Sequence, residues 1–270
     1  MMRLLFISLL FVSCKGNTTD FNKSQIISYQ AQTQSIQQDS LLVGIQEKIY
    51  NAFVQSFMTK NNDELDLLSK DLENLYSTKK NNIILYWKSY LQFYSSIYYL
   101  RKGDKETAEK EIDKGIDWLN EMKNKNSEDL ALLSMMESFS LQFTLGFKIP
   151  IISKRVKNNA KLSIKMDPTN LRGYYVYASN DFYTPEKFGG GKKAEKYLLK
   201  AISLPAQKIK NDYLPSWGKE ESYEMYTEGI PYLIQNLKDS YCLAPETLKL
   251  KVDTAVMFVK NNFTKGYVNG

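Results

Sequence analysis

The sequence contains no histidine. That removes the commonest general base and the commonest metal ligand together. Ser-His-Asp and Cys-His nucleophile systems, His-rich zinc sites and the HExxH zinc helix are all excluded. Cysteine is nearly absent as well: Cys14 and Cys242 are the pair, and their settings are unlike. Cys14 closes an N-terminal apolar run, while Cys242 lies in "DSYCLAPE" and reads as a small buried hydrophobe near a helix start. Arginine is scarce, at positions 3, 101, 155 and 172, so lysine supplies nearly all the positive charge in a formal net of +6. Nucleic-acid sites cluster arginine with aromatic or glycine partners. Here the lysines alternate with Glu and Asp along the chain, so nucleic acid is not an expected partner and the surface reads as solvated. Strand-like alternation is almost missing. Beyond the N-terminus no apolar stretch approaches the roughly 20 residues that a spanning helix needs.

What is present begins with "MMRLLFISLLFVSC". Arg3 precedes a nine-residue apolar run, Leu4 to Val12, which is too short to span a bilayer but fits the core of a signal peptide. The run ends in Phe11-Val12-Ser13-Cys14, which resembles a bacterial lipobox. That pattern has an apolar residue, two small ones and then Cys; Phe11 replaces the usual Leu and Val12 is larger than the usual small residue. The resemblance implies cleavage before Cys14 and lipidation of that residue, leaving a formal charge of +5 once Arg3 is removed. Lys15 rather than Asp follows the cysteine, which by the sorting rules of enteric bacteria implies the outer membrane, facing the periplasm. Residues 14–39 are rich in Gln, Ser, Thr and Asn and lack a sustained apolar face, so they are expected to form a flexible tether.

From residue 40 to 270 the pattern is helical, and this span reads as one domain. Leu41, Leu42, Ile45, Ile49, Phe53 and Phe57 recur at helical steps, as do Leu65, Leu68, Leu72 and Leu75. Breakers and cap candidates punctuate the chain at Asn61-Asn62-Asp63, Lys102-Gly103-Asp104, Asn124 to Ser127, Asp167-Pro168-Thr169, the glycine run and Ala244-Pro245-Glu246. They predict about ten helices: 40–60, 63–77, 82–101, 105–123, 128–147, 150–166, 170–183, 191–203, 218–238 (with Pro231 as a kink) and 245–261. Short connectors favour antiparallel neighbours. The expected fold class is therefore all-α, with about five helical hairpins in a row.

Gly103, Ala108, Ile112 and Gly115 are spaced five, four and three, and Gly189, Ala194, Leu198 and Ala201 repeat those spacings. Such a pattern has a physical logic: a glycine for a tight turn, small residues for close helix approach, and a large one between hairpins. It is similar to the second half of a tetratricopeptide repeat. Ser96 and Tyr99 ahead of Gly103, and Tyr175, Ala178, Ser179 and Phe182 ahead of Gly189, suit the first half if the second turn holds three extra residues. The resemblance covers about 82–204 and implies a right-handed superhelical solenoid whose first helices line a concave groove. It would put Tyr90, Phe93, Arg101, Asn180 and Tyr183 on the groove side.

The stretch "FYTPEKFGGGKKAEKYLLKAI" poses a further choice. A Walker loop needs Gly, four residues, then Gly-Lys-Ser/Thr after a buried strand. Here Glu186 stands where the first Gly belongs, Lys193 where Ser/Thr belongs, and no strand precedes, so Gly189, Gly190 and Gly191 read as a turn. Thr184, Pro185 and Phe188 then form a protruding loop open to a partner. The helix holding Tyr86, Trp87, Tyr90, Phe93, Tyr94, Tyr98 and Tyr99 is apolar all round, as a buried helix is, although Tyr is also frequent at recognition surfaces. Arg101 either caps a helix end or meets a carboxylate, and Trp217 either plugs the stack or lines a pocket. Acidic pairs such as Glu109/Asp113 and Glu220/Glu224 read as solvated faces. No metal site, cofactor or catalytic constellation is expected.

The expected function is a lipid-anchored helical-repeat scaffold of the bacterial envelope. Its expected partners are an envelope protein or peptide, transporter subunits among the candidates, and the membrane through the lipid. The alternative is a small-molecule-binding accessory lipoprotein, because "TPEKFGGGKKAEKYLLKAI" and "LPSWGKEESYEMY" look like stretches of the T component of TRAP transporters.

Overall fold

The structure, a computed structural model, describes residues 39–229. Among these the fold is all-α, with no strand. The helices are α1 (Ile45–Thr59), α2 (Asp63–Lys79), α3 (Asn82–Arg101), α4 (Lys105–Glu121), α5 (Ser127–Ser140), α6 (Ile149–Met166), α7 (Leu171–Tyr183), α8 (Ala194–Ser203) and α9 (Lys219–Glu224). Short 3₁₀ turns occupy Leu141–Phe143, Gly146–Lys148 and Glu186–Phe188, and a π turn follows α9 at Met225–Gly229. Consecutive helices pack as hairpins, α1 with α2 through α7 with α8. The first helices also touch in series, α1 on α3, α3 on α5 and α5 on α7. The hairpin turns therefore lie along one edge and the turns between hairpins along the other. No described helix is long and apolar enough to cross a membrane.

Helix α3 is the centre of this arrangement. Its buried residues surround the axis, from Ile83, Ile84 and Tyr86 to Tyr90, Leu91 and Tyr98, which is why its pattern shows no single stripe. Even Lys88 is buried; its Nζ donates to Glu73 Oε2 at 2.5 Å and lies 3.9 Å from the centre of the Trp118 ring. The five-four-three spacing is realised in both hairpins. Gly103 (φ 85°) and Gly189 (φ 82°) both adopt the left-handed conformation that a side chain resists. Ala108, Ile112, Ala194, Leu198 and Ala201 are all fully buried. A Cβ at Gly115 would stand 3.1 Å from Gln92 Cβ and 3.2 Å from the Ser89 carbonyl, so this glycine sets how closely α4 and α3 approach.

Several boundaries differ from the sequence expectation. The fifth helix ends at Ser140 rather than 147, because a 3₁₀ turn follows at Leu141–Phe143 and Thr144 and Leu145 are extended, which breaks the helical ladder. Pro150 then sits in the first turn of α6, where its missing N–H costs nothing. The first helix starts at Ile45, because Gly44 takes φ 62°. The later part of the expected ninth helix, the tenth helix, Pro231 and Cys242 lie outside the described residues, as do Cys14 and the expected signal and tether to residue 38.

Candidate functional site

The loop from Leu204 to Gly218 has little regular structure, yet many side chains hold it. Gln207 Nε2 donates to the carbonyls of Asn211 (2.9 Å) and Leu214 (2.7 Å), and its Oε1 accepts from Asn211 N (2.9 Å). Gln46 Oε1 on α1 accepts from Ser216 N (2.8 Å) and Trp217 N (3.1 Å). Trp87 Nε1 donates to the Tyr213 carbonyl at 2.9 Å, and Trp217 Nε1 donates to the Tyr86 hydroxyl at 2.7 Å. Trp217 is buried among Tyr86, Tyr90 and Tyr175 and belongs to the main core rather than to an end of the stack. The loop is thus a fixed wall.

Facing that wall are the start of α5 and the turn between α6 and α7. Asn126 caps α5: its Oδ1 accepts from Glu128 N (2.7 Å) and Asp129 N (3.0 Å), while Asp129 Oδ2 accepts from Asn126 N (2.9 Å). Ser127 and Ser163 exchange hydrogen bonds with each other's carbonyls at 2.9 and 2.8 Å, and Asn170 Nδ2 donates to Ser127 Oγ at 2.9 Å. These bonds satisfy polar groups buried between α5 and α6. Arg172, 4% exposed, joins the two walls. Its Nε and Nη2 form a bidentate pair with Glu128, and its Nη1 donates to the carbonyls of Ala206 (3.0 Å) and Trp217 (3.1 Å). Lys208 pairs with Asp167 across the rim at 3.1 Å.

Between the walls is a cavity of about 470 Å³. Met166, Pro168, Pro205, Ala206, Leu214 and Pro215 supply much of its apolar surface, which exceeds the polar surface, and Asn126, Glu128, Asp167, Arg172, Gln207 and Lys208 are among its polar lining residues. The electrostatics there are uneven. Burial pushes the Asp129 carboxyl up to about 7; the Asn126 amide opposes this and the neighbouring Glu128 charge adds to it. Burial also acts to raise Asp167, but hydrogen bonds from Thr169 and Lys208 outweigh it and hold the carboxyl below its ordinary value. The cavity has the size and the apolar-with-few-polar character of ligand sites, which run from about 300 to 1,000 Å³.

The residues expected on a groove do not form one surface. Tyr90 is 3% exposed, stacked toward Trp217 with its hydroxyl 3.3 Å from that of Tyr94, and so belongs to the core. Asn180 is equally buried, and its Oδ1 has no hydrogen-bond partner. Phe93 is half-buried, edge-on to Phe139 at 5.2 Å. Arg101, in the last turn of α3, and Tyr183, at the end of α7, are exposed. The physical reason is that α3 is covered on every side, so the repeat register cannot separate its groove-facing rings from its core rings.

The glycine turn makes its own bonds. Gly189 N donates to the Glu186 carbonyl (2.7 Å) and Gly191 N to the Asp181 carbonyl (2.7 Å). Asp181 Oδ2 accepts from Lys193 N (2.7 Å) and Ala194 N (3.0 Å) at the start of α8. A phosphate approaching that helix end would meet a carboxylate already seated there. A Cβ at Gly190 would come within 1.8 Å of the Thr184 carbonyl, so the middle glycine is set by close backbone approach. Thr184 Oγ1 donates to the Asn180 carbonyl (2.6 Å), while Pro185 and Phe188 stay exposed. The sequence pattern marks Asn124 to Ser127 as punctuation before a helix at 128–147 and assigns Arg172 no role. One signal was available, since Arg172 is one of only four arginines in a lysine-rich chain, and arginine is favoured at buried bidentate pairs.

Comparison with known proteins adds little to this geometry. No family model matches the chain, and no curated protein matches it. Among solved structures, the HusA haemophore from Porphyromonas gingivalis is similar, with 21% identity over 69% of this chain and 91% of that chain, at a TM-score of 0.48. A likeness at that level carries no argument about ligand or partner.

Proposed function

We propose that this chain is a lipid-anchored, TPR-like helical-repeat binding protein of the bacterial envelope. It takes a small, largely apolar ligand into the cavity between α5, the α6–α7 turn and the 204–218 loop. The carrying observation is that cavity: about 470 Å³, mainly apolar surface, and the buried Arg172 paired with Glu128 in its lining. Because Arg172 is already satisfied by Glu128 and two carbonyls, it serves to fix the walls rather than to capture a charge. The apolar lining then supplies the affinity. The lipobox-like "FVSC" supports the anchor, and the repeated five-four-three spacing supports the repeat assignment. The sequence holds no histidine and no nucleophile constellation, and the reading proposed is accordingly one of binding.

The test uses the neutral fluorophore N-phenyl-1-naphthylamine with the full chain and with Ala206→Trp, which fills the cavity from its wall. Saturable one-to-one fluorescence in the parent chain that is lost in Ala206→Trp is the expected result. Equal fluorescence in both would reject the cavity as the site.

A second reading, an envelope protein or peptide as partner, is favoured by one observation. Tyr50 and Phe57 of α1 are exposed beside Phe53, and Phe53 and Tyr50 both meet Tyr94 of α3 edge-on, giving an aromatic face on the first two hairpins. Loss of partner crosslinking in native membranes on Phe57→Ser plus Met58→Ser is the expected result on that reading.

A further inference from the structure

The turn between α5 and α6 exposes four large apolar side chains within seven residues: Leu145, Phe147, Ile149 and Ile151. Phe147 is 73% exposed, Ile151 65% and Leu145 64%, values typical of polar surface residues. The segment lies at a hairpin turn, between the two helices of one hairpin. No described residue covers it.

The surrounding charge is of one sign. Between Glu137 and Asp167 the sequence holds Lys148, Lys154, Arg155, Lys157, Lys161 and Lys165, and no Asp or Glu. Arg155 is paired with Glu137, but none of the five lysines has a salt bridge among the described residues. Val156, Ala160 and Ser163 are the buried side of α6. Ile151, Lys154, Asn158, Lys161 and Lys165 recur at steps of three and four on the opposite side, and all are exposed. The apolar tip therefore runs into a cationic stripe along one helix.

We infer that the α5–α6 turn and the outer face of α6 form a membrane-interfacial surface: the tip enters the headgroup boundary of an anionic bilayer while the lysines lie over its phosphates. Three observations favour a bilayer over a protein partner. The patch is four exposed apolar side chains gathered at one turn. Its cations are nearly all lysine, which is depleted at protein interfaces. Apolar tips flanked by lysines on one helix face are what interfacial binding to anionic lipid requires. Lysine also suits the boundary because its stem can lie in apolar surroundings with its ammonium in water. The apolar tip lies at the start of α6 and the ligand cavity at its end, and the inference does not rest on the ligand reading.

The experiment places an environment-sensitive nitrobenzoxadiazole label at Phe147→Cys in the full chain carrying Cys14→Ser and Cys242→Ser. Vesicles are of phosphatidylcholine alone or with three-tenths phosphatidylglycerol. The expected result is a blue shift of the label on the anionic vesicles, lost as salt is raised, and none on the neutral ones. The same label at Leu67→Cys, an exposed site on α2, should not shift. Adding Lys148→Glu, Lys154→Glu and Lys161→Glu should raise the lipid concentration at half-shift about a hundredfold or more, since each of the three cations near the surface contributes about fivefold. No shift at 147, an equal shift at 67, or a shift indifferent to lipid charge and salt would overturn the inference.

Discussion

Replacing Arg172 by Met tests whether the cavity walls are held as described. The guanidinium is 4% exposed and satisfies four acceptors: both oxygens of Glu128 and the carbonyls of Ala206 and Trp217. Methionine keeps most of the stem's volume, so the loss is polar rather than a cavity. Breaking a buried pair from one side costs about 3–5 kcal/mol, because the other charge stays behind. Glu128 is 19% exposed, so water can partly solvate it and the lower end applies, about 3 kcal/mol. With a urea slope near 2 kcal/mol per molar, the unfolding midpoint should fall by about 1.5 M. Glu128→Gln alone should cost about 2 kcal/mol, since the cation keeps its two carbonyls. The double variant should then cost less than the sum by about 2 kcal/mol, as residues of one network do. Urea titration of the four proteins, followed by far-UV circular dichroism, reads these values. A loss below about 1 kcal/mol for Arg172→Met, or additivity within about 0.5 kcal/mol, would refute the picture of one shared pair holding the walls.

Two further outcomes follow from single groups. The Asp129 carboxyl is raised from 3.8 to about 7 by burial. A raised carboxyl favours the protonated folded state, so this group stabilises below pH 4 and that contribution is lost as pH rises toward 7. The difference between pH 4 and 7.5 is of order 3 kcal/mol, and Asp129→Asn should remove that part of the stability–pH slope; an unchanged slope in chemical denaturation would contradict the burial argument. In the glycine turn, Gly189→Ala meets open space but keeps φ 82°, and should cost about 1 kcal/mol. Gly190→Ala would press on the Thr184 carbonyl and should cost at least about 2–3 kcal/mol. Thermal unfolding should therefore rank the two with Gly190→Ala clearly lower, and the reverse order would mean that the turn is set by dihedral freedom alone.

How much of this was legible in the sequence depends on how local each feature is. Gly103 and Gly189 announced their turns because a tight helix-to-helix turn needs the same backbone twist each time, and both do take positive φ. Ala108, Ile112, Ala194, Leu198 and Ala201 announced the buried sides of α4 and α8 through helical spacing, which is a property of one helix. The interior of α3 was not legible in this way: with apolar residues all round, periodicity does not say which ring meets Trp217 and which meets water. The cavity was less legible still. Its wall is made by partners far apart in sequence, Gln46 with Trp217, Trp87 with Tyr213 and Arg172 with Glu128, and no spacing rule relates them. The "LPSWGKEESYEMY" stretch suggests a tryptophan that plugs the stack or lines a pocket, but no spacing rule places it beside Tyr86 and Tyr90 in the main core.

The topology separates two kinds of surface on this chain. In a row of hairpins whose first helices touch, every hairpin turn falls on one edge and every connection between hairpins on the other. The cavity is built from connections between hairpins: residues 126–128, the α6–α7 turn at 166–172, and the 204–218 loop. The apolar tip at 145–151 and the exposed Phe188 belong to hairpin turns. Sequence composition follows the same division. The cavity edge is bound by capping, serine–serine and arginine–carbonyl hydrogen bonds, which fix a shape; among the described residues the α6 lysines make no salt bridge, and the apolar side chains at 145–151 are exposed. A side chain that contributes nothing to its own fold and exposes apolar area to water is costly to leave alone. On this chain four such side chains fall within residues 145–151 at the start of α6, while the cavity is lined by Met166 to Asn170 at its end, so the apolar tip and the cavity lie at opposite ends of one helix.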